Sequence, residues 1–185
     1  NRDLLMELLA PYRAHIVVGH MHESEHVFVG NAHIHVCGAV CGAWWSGPIC
    51  GDGTPNGYGI YEMHGEDVRW RYKSTGMPAD HQIRLYPRGT NPANARAILA
   101  NIWDWDQQWT VVWYENGIRK GEMKQVRRTD PLSEKLHAGP KLPAKHTWVE
   151  PYVTDHMFEA VPESPEDAIV VEARDRFGGL FTARG

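Results

Sequence analysis

The chain of 185 residues carries 19 Lys and Arg against 23 Asp and Glu, for a formal net charge of −4. Hydrophobic residues make up 42% of it, too many for a disordered chain and enough for a buried core in one domain or two small ones. No basic patch dominates, which argues against a nucleic-acid partner, and no run reaches the roughly 20 apolar residues of a membrane helix.

The segment NRDLLMELLAPYR spaces Leu4, Leu5, Leu8 and Leu9 as one helical stripe. Asn1 can cap it, Asp3 suits its first turn and Pro11 ends it. A chain that opens on an amphipathic helix and at once enters an apolar strand is expected to be the C-terminal portion of a longer protein. HIVVG then reads as a short strand buried on both faces. EHVFV and HIHVC, split by Gly30-Asn31, read as a hairpin. Within HIHVC the residues His33, His35 and Cys37 share one face, and Ile34 and Val36 the other. The glycine-rich stretch from Gly38 to Gly59 must be largely irregular, and loops of that length are often functional. YGIYEM and VRWRYKS read as two more strands, turning at Gly65-Glu66-Asp67.

A change follows Gly76-Met-Pro-Ala-Asp80, so residues 1–78 and 79–185 are expected to form separate domains. From Gln82 onward seven short β-type runs recur: IRLYP, ARAILANIW, WTVVWYE, IRKGEMKQV, HMFEAV, AIVVEAR and LFTAR. Glu115-Asn116-Gly117 is a hairpin turn, and Asp175 to Gly179 turns the chain into the last run. That pattern is a β-sandwich, and eight Trp and seven Tyr suit pleated surfaces. Residues 128 to 147 break it, with one helical turn capped at Asp130-Pro131. The fold class is therefore mainly β with one or few helices.

The chemistry centres on Gly19-His20-Met21-His22, just past the end of HIVVG. Ligands of α/β folds bind beyond the carboxyl ends of strands. Neutral imidazole is a common metal ligand, and two ions about 3.5–4 Å apart can take one ring each. Other candidates are Trp44 and Trp45, as pocket walls or core. Asp52 can bind a substrate hydroxyl or cap the turn at Gly53. His33, His35 and Cys37, with Cys41 as a fourth ligand, form a weaker zinc candidate. Cys37, Cys41 and Cys50 lie too close together for a disulfide framework; one bridge plus a free thiol and three buried thiols both fit. Trp103, Trp105, Trp109 and Trp113 read as packing residues rather than a sugar-stacking platform.

The order helix, apolar strand, GHMH, hairpin resembles the last motif of calcineurin-like metallophosphoesterases, GHxH at a strand end. GAWWSG, DGTPNGY and WRYKSTG, with NIWDWDQQW, DPLSE and DRFGG further on, resemble a bacterial branch whose phosphoesterase domain precedes a distinct C-terminal domain. The resemblance implies the closing part of an αββα sandwich followed by an immunoglobulin-like β-sandwich. It implies that His20 binds the second of two divalent ions (Mn, Fe or Zn) and His22 the first. A metal-bridging hydroxide would then attack a phosphate mono- or diester in line. The family's DxH, GDxxD, GNH[DE] and lone His motifs do not occur here. Two histidines cannot hold two ions without carboxylates, so the chain is expected to be catalytically incomplete and to need the N-terminal half of the same protein. Export to the periplasm or outer membrane is implied by the resemblance alone. Strands lacking their partner sheet expose an apolar face, and a homodimer that covers it is one expected outcome. The alternative reading is a non-catalytic sandwich that recognises a glycan or a partner domain.

Overall fold

Residues 1–185 are described by a computed structural model. The helix α1 (Arg2–Leu9) leads into β1 (Ala14–Val18), β2 (Glu25–Val29) and β3 (Ala32–Val36). The three strands form one sheet in the order β1-β3-β2. β2 and β3 are the expected hairpin, with Val29 opposite Ala32 and Gly30 at φ 56°. β1 runs parallel to β3 and pairs His15 with His33.

The expectation that β1 is buried on both faces fails. β1 is an edge strand with a neighbour on one side only, and Val17 and Val18 are 55% and 37% exposed. α1 buries none of its residues either, and Leu4, Leu5 and Leu8 face solvent. Asn1 occupies the N-cap position without a side-chain hydrogen bond. Helix and sheet thus present apolar surface with nothing packed on it.

After a long irregular loop, β4 (Gly57–His64) and β5 (Asp67–Ser74) form a two-stranded hairpin. The remaining strands are β6 (Arg84–Tyr86), β7 (Ile98–Asn101), β8 (Thr110–Glu115), β9 (Ile118–Glu122) and β10 (Lys124–Thr129). Then come α2 (Pro131–His137), β11 (Val153–Ala160), β12 (Ile169–Arg174) and β13 (Leu180–Arg184). They build two four-stranded sheets, β10-β11-β7-β6 and β13-β12-β8-β9. Residues two apart on each central strand point into one core: Ile98 and Ala100, Val111 and Trp113, Phe158 and Ala160, Val171 and Ala173. The period-2 pattern of the sequence is this inner face. Trp103 and Trp109 are buried and Trp105 packs against the same core, so no row of indoles is left for a sugar to stack on.

One run departs from the expected seven. IRKGEMKQV is two strands in different sheets, because Met123 turns inward, is buried in the core and donates its N–H to Val111. The chain crosses from one sheet to the other there, with Gly121 at φ 127°. The Asn116-Gly117 turn has positive φ at both residues, as a two-residue hairpin of this hand requires. α2 is longer than one turn, and Asp130 caps it by accepting from Leu132 N at 2.9 Å and Ser133 N at 3.0 Å. No helix is long and apolar enough to cross a membrane.

Candidate metal centre

His20 and His22 sit on the turn after β1, where the sheet ends. Both adopt positive φ, 86° and 56°, a region that costs non-glycine residues about 1–2 kcal/mol each. Across from them Trp44 and Trp45 do the same, at φ 57° and 58°. Among the six non-glycine residues with positive φ, His20, His22 and Trp44 meet at one place, and Trp45 follows Trp44 on the same loop. The His22 ring stacks on Trp44 with centroids 4.3 Å apart, and His20 meets the same indole edge-on at 6.1 Å. The His22 Nδ1–H donates to the Gly42 carbonyl at 2.6 Å. The Trp44 N–H also points at this nitrogen, at the longer distance of 3.3 Å; the shorter Gly42 contact favours the tautomer whose Nε2 lone pair is free to ligate a metal. His20 is exposed and carries no competing hydrogen bond. Two imidazoles on one turn fit one side of a metal centre.

The loop from Gly38 to Asn56 holds the tryptophans in place. Gly42 and Gly53 are its obligatory glycines. A Cβ on Gly42 would run into the Asn56 amide, and one on Gly53 into the Asp130 carboxylate, while both have positive φ. Trp45 is 72% exposed and borders a shallow surface hollow with Val40, Cys41, Ser46, Gly47 and Asn56. Neither His20 nor His22 lines that hollow. Trp45 buries little and bears left-handed strain, so Trp45→Asn is expected to change stability by no more than about 1 kcal/mol, in the stabilising direction. Urea unfolding of the two proteins measures it.

Asp52 is placed differently. It is 1% exposed, and its carboxylate accepts from Ser24 N at 2.7 Å, Thr54 N at 2.9 Å, Thr54 Oγ1 at 2.8 Å and His156 Nε2 at 3.1 Å. Burial by itself raises such a carboxyl. The hydrogen bond and charge of His156 and the two N–H groups outweigh it and hold Asp52 below the ordinary carboxylate range. In this position the group ties the loop to β11, and no oxygen is left facing solvent for a substrate.

The family described as C terminal of Calcineurin-like phosphoesterase matches residues 34–181. The chain belongs to that family. No curated protein and no solved structure matches it. The matched residues run from β3 through β13, and so include Trp44, Trp45 and Asp52, while the GHMH turn lies ahead of them.

In this phosphoesterase C-terminal chain the sulfur-containing zinc candidate does not assemble. Cys37 Sγ lies 3.0 Å from the Tyr61 hydroxyl, whereas Cys41 Sγ turns toward the His22 ring at 3.7 Å. All three cysteines are free. β3 instead places His33 and His35 beside His15 of β1 and His26 of β2, all on one face of the sheet. His15 Nδ1 lies 2.9 Å from His35 Nε2, and His26 Nδ1 lies 3.0 Å from His33 Nε2. His26 Nε2 meets Asp104 Oδ1 at 3.0 Å, and Asp104 Oδ2 accepts from Tyr72 N at 2.9 Å. Burial, the neighbouring imidazoles of His35 and His26, and the Arg176 guanidinium push His33 down to about 2. Burial, His26, His15 and Arg176 push His35 down to about 3.

Sequence reasoning missed His26, Asp104 and His156. Asp104 and His156 are joined to their partners only by tertiary packing, while His26 meets His33 across the β2-β3 hairpin, and no motif marks any of the three. The one available signal was the alternation H-x-H in β3 beside a histidine in β1, which puts three rings on one pleated surface.

Proposed function

We propose that the chain supplies the C-terminal side of a two-metal phosphoesterase centre. His22, through Nε2, holds one ion and His20 the other. The remaining ligands, carboxylates among them, come from a segment encoded upstream of Asn1. When bound, the two divalent ions neutralise the phosphoryl oxygens and lower the pKa of water. His20 and His22 contribute uncharged donors that keep the ions strongly Lewis acidic, and the Gly42 carbonyl, 2.6 Å from Nδ1, holds the His22 ring in one orientation. Trp44 packs against both rings, face to face with His22 and edge-on to His20, and limits their rotation.

One observation carries this reading: four strained non-glycine residues, His20, His22, Trp44 and Trp45, converge on one turn and loop. Strain of that kind persists where surrounding structure enforces it, and it concentrates at functional sites. The family membership and the apolar surface left open on α1 and β1 support the same reading. They fit a sheet that completes itself against the upstream segment.

The test uses a generic phosphodiester with added manganese. Protein that includes the upstream segment is expected to turn it over, and His20→Ala or His22→Ala lowers kcat by at least about 100-fold, about 2.7 kcal/mol in the barrier. The 185-residue chain alone shows negligible turnover. Robust activity of this chain alone, dependent on both histidines, contradicts the claim that its site is partial. Unchanged activity in both alanine variants contradicts the assignment of the site.

A further inference from the structure

The four imidazoles on the β1-β3-β2 sheet serve no role in the centre at His20 and His22. One ring nitrogen from each of His15, His33 and His35 lies within 4.8 Å of the other two. The sheet produces this arrangement directly. His33 and His35 are two apart on β3, so they share a face, and the parallel register sets His15 of β1 beside His33.

We propose that His15, His33 and His35 form a second metal site, one that takes a single divalent transition ion of the zinc type and leaves a coordination position open.

The donor chemistry is the first argument. In each of the three rings one nitrogen meets a neighbouring imidazole and the other has no hydrogen-bond partner in the protein. The 2.9 Å contact between His15 Nδ1 and His35 Nε2 needs one ring to donate a proton to the other, and a cation between these two nitrogens would take the place of that bond.

The geometry is the second. Zinc–nitrogen bonds of about 2.0–2.1 Å put tetrahedral ligands about 3.4 Å apart. The His15–His35 pair is already at 2.9 Å, and the His33 nitrogen, within 4.8 Å of both, reaches that spacing with a shift of about 1–1.5 Å. Around the rings lies the support such sites have. Asp104 holds His26 and His26 holds His33, a carboxylate-to-imidazole chain that fixes ring orientation. Two guanidiniums border the cavity, Arg176, whose Nε pairs with Asp106 at 2.7 Å, and Arg13, which pairs with Asp67 at 3.7 Å; these carboxylates offset part of the charge that opposes a cation.

Access is the third. His15 and His33 wall a cavity of about 380 Å³ together with Phe28, Trp70, Arg176 and Phe177. An ion and a fourth ligand can enter from it. Three histidines with an open fourth position is the pattern of a reactive rather than a purely structural zinc site.

The experiment isolates this site from the other. The 185-residue chain carrying His20→Ala and His22→Ala is stripped with chelator and titrated with Zn²⁺ by equilibrium dialysis. A parallel titration with Co²⁺ is followed by its visible absorption. The expected result is one zinc per chain and the intense bands of a four-coordinate cobalt site. Adding His15→Ala is expected to weaken zinc binding by at least about 100-fold and to abolish those bands. His15 is on an edge strand and only partly buried, so this variant keeps its far-ultraviolet circular dichroism; His33→Ala serves as the second variant. Absence of stoichiometric zinc in the His20→Ala/His22→Ala chain overturns the proposal. So does zinc binding that survives both His15→Ala and His33→Ala. Either failure leaves the reading of His20 and His22 standing, because both are absent from the tested chain.

Discussion

Asp52→Ala is expected to destabilise the chain by about 3–5 kcal/mol, the range for a buried ion pair that loses one partner. Ser24 N, Thr54 N and His156 Nε2 all donate to this carboxylate, and each would be left buried without an acceptor. His156 has its other nitrogen on Asn101 Oδ1 at 2.7 Å, and Asn101 Nδ2 reaches both the Asp52 carbonyl and the Asp130 carboxylate. The loss therefore spreads from the glycine-rich loop into β7, β11 and the cap of α2. Urea unfolding followed by tryptophan fluorescence measures it. Adding His156→Leu to Asp52→Ala should recover part of the loss, since it removes the stranded imidazole and leaves an apolar group. A loss below about 1 kcal/mol in the single variant would mean that water replaces the carboxylate and that the loop is not anchored there.

Acid lability is the second large effect. Imidazoles in the unfolded chain titrate near 6.5, whereas His33 and His35 stay neutral in the fold until about pH 2 and 3. Below pH 6.5 the unfolded state binds protons that the folded state refuses, so stability falls as pH falls. It keeps falling until the folded-state values are reached. Two such rings give a limiting slope of about 2.7 kcal/mol per pH unit. Asp52 adds to this only at lower pH, because its depressed carboxyl contributes stability that is lost as the pH falls below the unfolded carboxylate value. Metal-free chain is expected to show urea midpoints that drop steeply between pH 6.5 and 4.5. Replacing His33 by Phe, which packs but does not titrate, should remove about half of the slope. Midpoints that are flat over this window would show that the rings take up protons within the fold.

The strand runs and turns were legible because local chemistry determines them. Short β-type runs between turn signals gave β7, β8, β11 and β12, Asn116-Gly117 gave a hairpin, and Asp130-Pro131 gave a helix start. Three things were not. Met123 splits one β-type run because a single side chain turns into the core, and a run of mixed residues does not mark that point. β1 looked fully buried by composition, yet burial depends on what packs against a strand, and β1 lies at an edge. Asp52 and His156 are 104 residues apart, and nothing in either neighbourhood specifies the other. Of the candidate site, the GHMH turn and the two tryptophans could be read as one unit through the family resemblance. The left-handed backbone that gathers them could not, since His and Trp are not residues that announce positive φ.

The claim on which the account rests is that His20 and His22 each hold one ion of a pair. Manganese electron paramagnetic resonance of protein extended through its upstream segment tests it most directly. The account predicts a spin-coupled two-ion signal in the unsubstituted protein. It predicts that His20→Ala and His22→Ala each leave only the signal of isolated ions. A coupled signal that persists when both histidines are replaced contradicts it.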